Sequence, residues 1–137
     1  MTMITGLAHV SIVVPDIEAA AKVLAERYGL KTGERKLNAE QGVRLAYVEL
    51  PGDAKIELME PSRPDSPIEK FLERNPDGGI HHICYEVEDI IAARDQLKAK
   101  GARVLGTGEP RIGAHGKPVL FLHPKDFNGT LVELEQV

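Results

Sequence analysis

Two histidines and two glutamates stand at repeated positions in this chain, and these side chains together bind divalent metal ions. His82 follows His9 by 73 positions (82 − 9), and Glu133 follows Glu57 by 76 positions (133 − 57). Each half of the chain therefore carries one histidine early and one glutamate late. If the halves fold as similar units, the four side chains can converge on one ion.

The sequence surrounding these residues repeats as well. A shift of 73 positions gives an identical residue for Val14, Asp16, Ile17, Ala19, Ala20 and Leu24. Around the glutamates, residues 55–58 (Lys-Ile-Glu-Leu) correspond to residues 131–134 (Leu-Val-Glu-Leu). Self-similarity at a nearly constant spacing indicates two related structural units.

The candidate ligands lie in strand-like, apolar segments. A single histidine in a strand is more often structural than metal-binding, but the repeat of His9 as His82 reverses that preference. Glu57 and Glu133 each have apolar neighbours on both sides, and a buried carboxylate is costly unless it is paired or bound to metal. Strand alternation places Glu135 on the same face as Glu133, but Glu135 ranks lower because it is at the chain end.

The pattern along the chain predicts an α+β fold of two tandem β-α-β-β-β modules, whose strands form a curved mixed sheet around a metal-binding cleft. We expect a single domain over 1–137, with one module at about 5–60, a connector at about 61–78 and a second module at about 79–137. The predicted strands are 7–14, a short one near 30–35, 43–50, 55–59, 80–87, 103–105, 118–122 and 131–136. The predicted helices run from a cap at Asp16 to Gly29, over 67–74, and over 89–100.

Composition excludes several classes of function. The net charge of −4 argues against general binding to nucleic acids or membrane surfaces, which favours basic proteins. No apolar stretch reaches the ~20 residues that span a bilayer. Cys84, the one cysteine, is expected to be a buried free thiol, which fits the cytoplasm or another reducing compartment.

Two imidazoles and two carboxylates suit one divalent ion per chain. Co²⁺, Mn²⁺, Zn²⁺, Ni²⁺ and Mg²⁺ all accept such a ligand set and retain positions for oxygen ligands. A non-haem iron oxygenase needs two histidines and only one carboxylate. The second glutamate makes an oxygenase the weaker interpretation.

Four segments carry a resemblance to a known family. They are 65–72 with its Asp-Ser-Pro-Ile and Phe-Leu pairs, 78–84 (Gly-Gly-Ile-His-His-Ile-Cys), 112–118 (Ile-Gly-Ala-His-Gly-Lys-Pro) and 121–126 (Phe-Leu-His-Pro-Lys-Asp). With the histidine and glutamate pattern, the chain resembles the vicinal oxygen chelate (glyoxalase) superfamily, and within it the methylmalonyl-CoA epimerases. The resemblance covers nearly the whole chain.

The resemblance implies an isomerase that interconverts (2R)- and (2S)-methylmalonyl-CoA. It places the metal ligands at His9, His82 and Glu133, with a fourth at Glu57, and it makes Co²⁺ the preferred ion. One carboxylate would remove the α-proton, the metal would stabilise the resulting enolate, and a second acid would reprotonate the opposite face. Glu57 and Glu133 are the candidate catalytic residues, and Glu49 and His115 are held in reserve.

The resemblance also implies binding partners. An acyl-CoA substrate would contact His115, Lys117 and Lys125, although their segments could equally be an ordinary hairpin turn and a solvated strand end. A homodimer is expected.

One position departs from part of the family, in which a glutamate follows the Gln-Gly-Val turn as a base and the fourth ligand is glutamine. Here Leu45 stands at the first position and Glu57 at the second. Glu57 is therefore expected to bind metal, to take the proton, or to alternate between these roles. Two other functions stay open: a glyoxalase I-type lyase acting on a glutathione hemithioacetal, and a metal-free module that sequesters small ligands.

Overall fold

The computed structural model describes residues 3–53 and 55–137, and the chain forms two compact units. One unit consists of residues 10–81. The other combines the residues up to His9 with residues 82–137. Strand β1 (Ile4–Val13) therefore begins in one unit and ends in the other.

The unit of residues 10–81 is a mixed sheet with two helices. After β1 come α1 (Ile17–Tyr28), β2 (Lys31–Thr32), β3 (Lys36–Asn38), β4 (Val43–Glu49), β5 (Ile56–Pro61) and α2 (Glu69–Arg74). The strand order is β2-β4-β5-β1, and β3 pairs with β4. Strand β5 is parallel to β1 and antiparallel to β4.

The other unit repeats this arrangement. Its elements are the start of β1, most of β6 (Gly79–Val87), α3 (Ile90–Ala99), β7 (Arg111–Ile112), β8 (Pro118–Leu122), a 3₁₀ turn (Pro124–Asp126) and β9 (Leu131–Gln136). The strand order is β1-β6-β9-β8-β7. Strand β9 is parallel to β6 and antiparallel to β8, as β5 is to β1 and β4.

Each unit has its own apolar core. In residues 10–81, one cluster is built on Val13, Val43, Leu45, Met59 and Ile68, and another on Val14, Ile17, Ala46, Val48 and Leu58. In the other unit the core consists of Val87, Ile90, Ala93, Leu120 and Leu134. Burial of these side chains fixes which face of each strand is internal, and therefore which polar residues share that face.

The helix starts also repeat. The Asp16 side chain accepts hydrogen bonds from the second and third backbone N–H groups of α1, and Asp89 caps α3. The first N–H group of α1, at Ile17, donates to Glu60 Oε2 (3.4 Å), and that of α3 donates to Gln136 Oε1 (3.0 Å). Side-chain oxygens thus satisfy backbone donors that have no partner within the helix.

The α+β class and the mixed sheets expected from the sequence are confirmed. Helix α1 begins after the predicted cap at Asp16, and Gly29 ends it with a φ of +67°. Strands β8 and β9 have the expected bounds. No helix in the described part of the chain is long and apolar enough to cross a membrane.

Four short elements differ from expectation. The strand predicted at 103–105 is reduced to one bridge between Val104 and Leu122. Strands β3 and β7 form where turns or loops were expected, because they pair with the longer strands β4 and β8. Helix α2 begins at Glu69 rather than at Pro67.

Gly78 lies where two backbone segments of one unit approach closely. Its φ is +87°, and a Cβ atom there would lie 2.5 Å from the Val13 carbonyl oxygen. Ordinary carbon–oxygen contacts are roughly 3.3 Å or longer. Only glycine fits this position without displacing the end of β1.

Gly78→Ala is therefore expected to destabilise the protein by more than about 3 kcal/mol, as backbone overlap adds to the strain of a positive φ. Gly52→Ala is the matched control, because Gly52 has a φ of +81° but open space around it. The control should lose about 1 to 2 kcal/mol, the cost of the left-handed conformation alone. Urea unfolding measures both, and equal losses would contradict the overlap.

Candidate functional site

Three of the four predicted ligands lie in the same compact unit. His9 is on β1, His82 on β6 and Glu133 on β9. Their exposed fractions are 3%, 5% and 8%. In the register of β6 and β9, Glu133 is opposite Cys84. Cys84 follows His82 by two residues and shares its face, so the strand pairing puts Glu133 beside His82.

The three side chains meet through single atoms. His9 Nε2 and His82 Nε2 are 3.3 Å apart. Glu133 Oε1 lies 3.4 Å from His9 Nε2 and 3.1 Å from His82 Nε2. Atoms that bind one ion at about 2.0 to 2.2 Å lie roughly 3 to 3.5 Å from one another. The spacing and the donor types therefore fit a divalent metal, and His9, His82 and Glu133 are the residues that could hold it.

The electrostatics of Glu133 also suit a ligand. Burial by itself raises the pKa of a carboxyl group, but here hydrogen bonds and favourable charge interactions with His82 and His9 outweigh it and lower the pKa of Glu133 to about 2. The side chain is therefore an ionised carboxylate at neutral pH. An ionised carboxylate is the form that binds a metal ion.

Glu57 belongs to the other unit, where two hydroxyl groups hold it. It lies on β5 and is 4% exposed. Ser11 Oγ donates a hydrogen bond to Oε1 (2.7 Å), and the Tyr47 hydroxyl donates to Oε2 (3.0 Å). The buried carboxylate is thus compensated on both oxygens, as the sequence argument required. Its place as the fourth metal ligand stays a prediction.

A second imidazole–carboxylate pair lies beside the three ligands. His115 Nδ1 is 2.8 Å from Glu135 Oε2, and the rings of His115 and His9 are 5.7 Å apart edge to face. Glu135 is 6% exposed. The sequence argument ranked Glu135 low because it is near the chain end. The alternation that places it on the face of Glu133 was the better signal.

The remaining candidate residues are peripheral or apolar. The reserve base Glu49 is exposed at the end of β4, and Lys117 and Lys125 are exposed. Leu45, which was expected to replace a base found in part of the family, is buried in an apolar core cluster. Cys84 is a buried free thiol, as expected.

Comparison with known proteins agrees with this geometry. Residues 8–121 match the Glyoxalase/Bleomycin resistance protein/Dioxygenase superfamily. The chain is 63% identical over 135 residues to the ethylmalonyl-CoA/methylmalonyl-CoA epimerase of Cereibacter sphaeroides, covering 98% of this chain and 100% of that one. The chain belongs to the methylmalonyl-CoA epimerase family.

Solved structures give the same family. The methylmalonyl-CoA epimerase of Mycobacterium tuberculosis aligns with a TM-score of 0.88 and 34% identity, covering 99% of this chain and 90% of that one. A variant of the Streptomyces coelicolor methylmalonyl-CoA epimerase, in complex with 2-nitronate-propionyl-CoA, aligns with a TM-score of 0.84 and 36% identity, over 97% of both chains. These relatives favour the epimerase over the lyase and the metal-free sequestering module.

Substitution of the ligands should remove the metal without unfolding the chain. We expect His82→Ala and His9→Ala to abolish retention of Co²⁺ after dialysis, because each removes one of three converging donors. Glu133→Gln keeps the size but not the charge, and should weaken binding by at least about tenfold. Elemental analysis measures the bound metal.

His81→Ala is the matched control, since His81 is the neighbouring residue on β6 and its ring packs against Phe71. It should retain metal at the level of the unmodified protein. Stoichiometric Co²⁺ in His82→Ala would refute the site.

Proposed function

We propose that this chain catalyses the metal-dependent epimerisation of methylmalonyl-CoA, with its 137 residues acting as a single domain of two modules. The observation that carries the proposal is the convergence of His9 Nε2, His82 Nε2 and Glu133 Oε1 within 3.4 Å of one another. Membership of the methylmalonyl-CoA epimerase family supplies the substrate class.

The chemistry follows from the substrate. The α-carbon of methylmalonyl-CoA lies between a carboxylate and a thioester carbonyl, which offer two neighbouring oxygens. A divalent ion bound at the site would polarise these oxygens as a Lewis acid, and so make the α-proton more acidic. The residues of the chain must then orient the thioester, remove the proton from one face and return a proton to the other.

Glu57 and Glu133 are the proposed proton-transfer groups, and both are also proposed ligands. The imidazoles of His9 and His82 favour the ionised form of Glu133, which suits binding better than carrying a proton. Proton removal therefore falls first to Glu57. His115 is the reserve for the opposite face, because Glu135 orients its ring and it lies beside His9.

Glu57 is proposed as the fourth ligand on the basis of strand geometry. Ser11 follows His9 by two positions on β1, so both side chains project from the same face of that strand. Ser11 is opposite Glu57 in the register of β1 and β5, and it donates to the Glu57 carboxylate. A carboxylate group has about four acceptor sites, so two hydrogen bonds are compatible with metal binding.

We propose one divalent ion per chain, with Co²⁺ preferred and Mn²⁺, Zn²⁺, Ni²⁺ or Mg²⁺ as alternatives. Nitrogen and carboxylate donors support this set of hard and borderline ions. The ligand types alone do not select among them. The family resemblance is what favours Co²⁺.

The acyl-CoA substrate is proposed to contact His115, Lys117 and Lys125. Both lysines are exposed, and such cations attract the substrate carboxylate and the CoA phosphates. Methylmalonyl-CoA and ethylmalonyl-CoA differ by one methylene group, so both belong to the proposed substrate class.

A cytoplasmic homodimer is the proposed working state. The buried free thiol of Cys84 suits a reducing compartment. The homodimer is what the family resemblance implies.

The activity is tested by exchange of the α-proton with solvent deuterium. Methylmalonyl-CoA of one configuration is incubated in deuterated water with metal-free protein and with Co²⁺-loaded protein. We expect deuterium at the α-carbon and a mixture of both epimers only with the loaded protein, since proton removal needs the polarised carbonyl. Mass spectrometry and a configuration-specific assay measure the two products.

The same preparation is assayed with the glutathione hemithioacetal of methylglyoxal. Absence of exchange with every one of the five ions would overturn the epimerase proposal. Turnover of the hemithioacetal without exchange would favour the lyase.

The variant Glu57→Gln distinguishes a role of Glu57 as a metal ligand from a role as a general base. Glutamine still offers an oxygen to the metal, so metal content should be retained, while loss of a general base lowers the rate by about 10²–10⁴-fold. The loss should also be one-sided, with one substrate epimer still exchanging its α-proton while conversion to the other stalls. Unchanged turnover with metal bound would make Glu57 a ligand only, and the second base would then be sought at Glu49, His115 or a bound water.

A further inference from the structure

We propose that Ser11 and Tyr47 are positioning residues for the reaction, which hold the Glu57 carboxylate in one orientation. This inference rests on the proposed function, because it gives the two hydroxyl groups a purpose only if Glu57 acts in that chemistry. Neither residue was among the candidates from the sequence.

The contacts define the orientation of the carboxylate group. Ser11 Oγ lies 2.7 Å from Glu57 Oε1, and the Tyr47 hydroxyl lies 3.0 Å from Oε2. One donor on each oxygen fixes the terminal torsion angle of the side chain, which otherwise has a broad range of values. A carboxylate held in one orientation is what a ligand or a base requires.

The two hydroxyl groups come from the strands on either side of β5. Ser11 is opposite Glu57 on β1, and Tyr47 is opposite Glu57 on β4. Neighbours at the same level of adjacent strands project from the same face of the sheet. The three residues thus form a row across the strands, with the carboxylate between its two donors.

The equivalent row in the other unit lacks these hydroxyl groups. There Glu133 is opposite Cys84 on β6 and opposite Phe121 on β8. A thiol is a weak donor, and a phenyl ring has no conventional donor. The same strand pairing therefore folds without a hydroxyl pair, so packing alone does not require Ser11 and Tyr47. Their presence is specific to Glu57.

The Tyr47 ring is held independently of its hydroxyl group. Lys36 Nζ lies 5.8 Å from the ring centroid, and the ring packs against the core cluster that contains Leu45. Loss of the hydroxyl group alone should therefore leave the ring in place.

The test compares Tyr47→Phe and Ser11→Ala with the unmodified protein, all loaded with Co²⁺. Each change removes one hydrogen bond to a charged group, and we expect kcat for epimerisation to fall by about tenfold or more while KM stays within about twofold. The decisive measurement is a double-mutant cycle with Glu57→Gln. In the Glu57→Gln background, Tyr47→Phe should lower the rate no further, because the group that it positions is already altered.

Matched controls separate positioning from general destabilisation. Ser66→Ala removes a buried hydroxyl that has no hydrogen-bond partner among the described residues, and Tyr85→Phe removes a tyrosine hydroxyl from the other unit. Both controls should keep the kcat of the unmodified protein, and thermal unfolding shows whether each variant is folded. If Ser11→Ala does not fold, the Tyr47→Phe cycle decides alone.

The outcomes distinguish the inference from the proposed function. An unmodified protein that does not epimerise methylmalonyl-CoA refutes the proposed function. An active unmodified protein in which Tyr47→Phe keeps full kcat, or loses the same factor with and without Glu57→Gln, overturns the positioning role. A loss of kcat that occurs only while Glu57 is unmodified supports the positioning role.

Discussion

The most demanding constraint on the unit that contains His9, His82 and Glu133 is the burial of two imidazoles and a carboxylate at one point. Removal of such groups from water is unfavourable unless they are paired. The imidazoles compensate Glu133, and Glu133 compensates the imidazoles, so loss of any one leaves the others buried and undersatisfied. The strand order β1-β6-β9 brings His9 close to residues more than seventy positions away in the sequence.

Strand register connects the repeat in the sequence to the site. Each unit contains a parallel strand pair, β1 with β5 or β6 with β9. In each pair a carboxylate lies opposite a small residue, and that small residue follows a histidine by two positions. Since side chains alternate along a strand, a slip of one residue would turn the carboxylate to the other face. The sheet therefore determines the ligand set as strictly as the residue types do.

Much of this arrangement was predictable from the sequence, because long strands and capped helices carry strong periodic signals. The capping residue Asp16, the bounds of β8 and β9, and the convergence of His9, His82 and Glu133 were anticipated. Strands β3 and β7 were not, since two- and three-residue strands form only through pairing with a longer neighbour. The contacts of Ser11 and Tyr47 with Glu57, and of Glu135 with His115, were missed for a related reason. Contacts between strands depend on register, which the sequence of one strand does not determine.

The helix-capping oxygens of Glu60 and Gln136 have a consequence for how this chain can change in length. Each follows a proposed ligand by three positions, Glu57 on β5 and Glu133 on β9. An odd separation puts the ligand on one face of the strand and the cap on the other, toward the helix. Insertion or deletion of one residue in either interval would place both on the same side, so the helix start or the ligand would be lost. These two short intervals should therefore not tolerate a change of length.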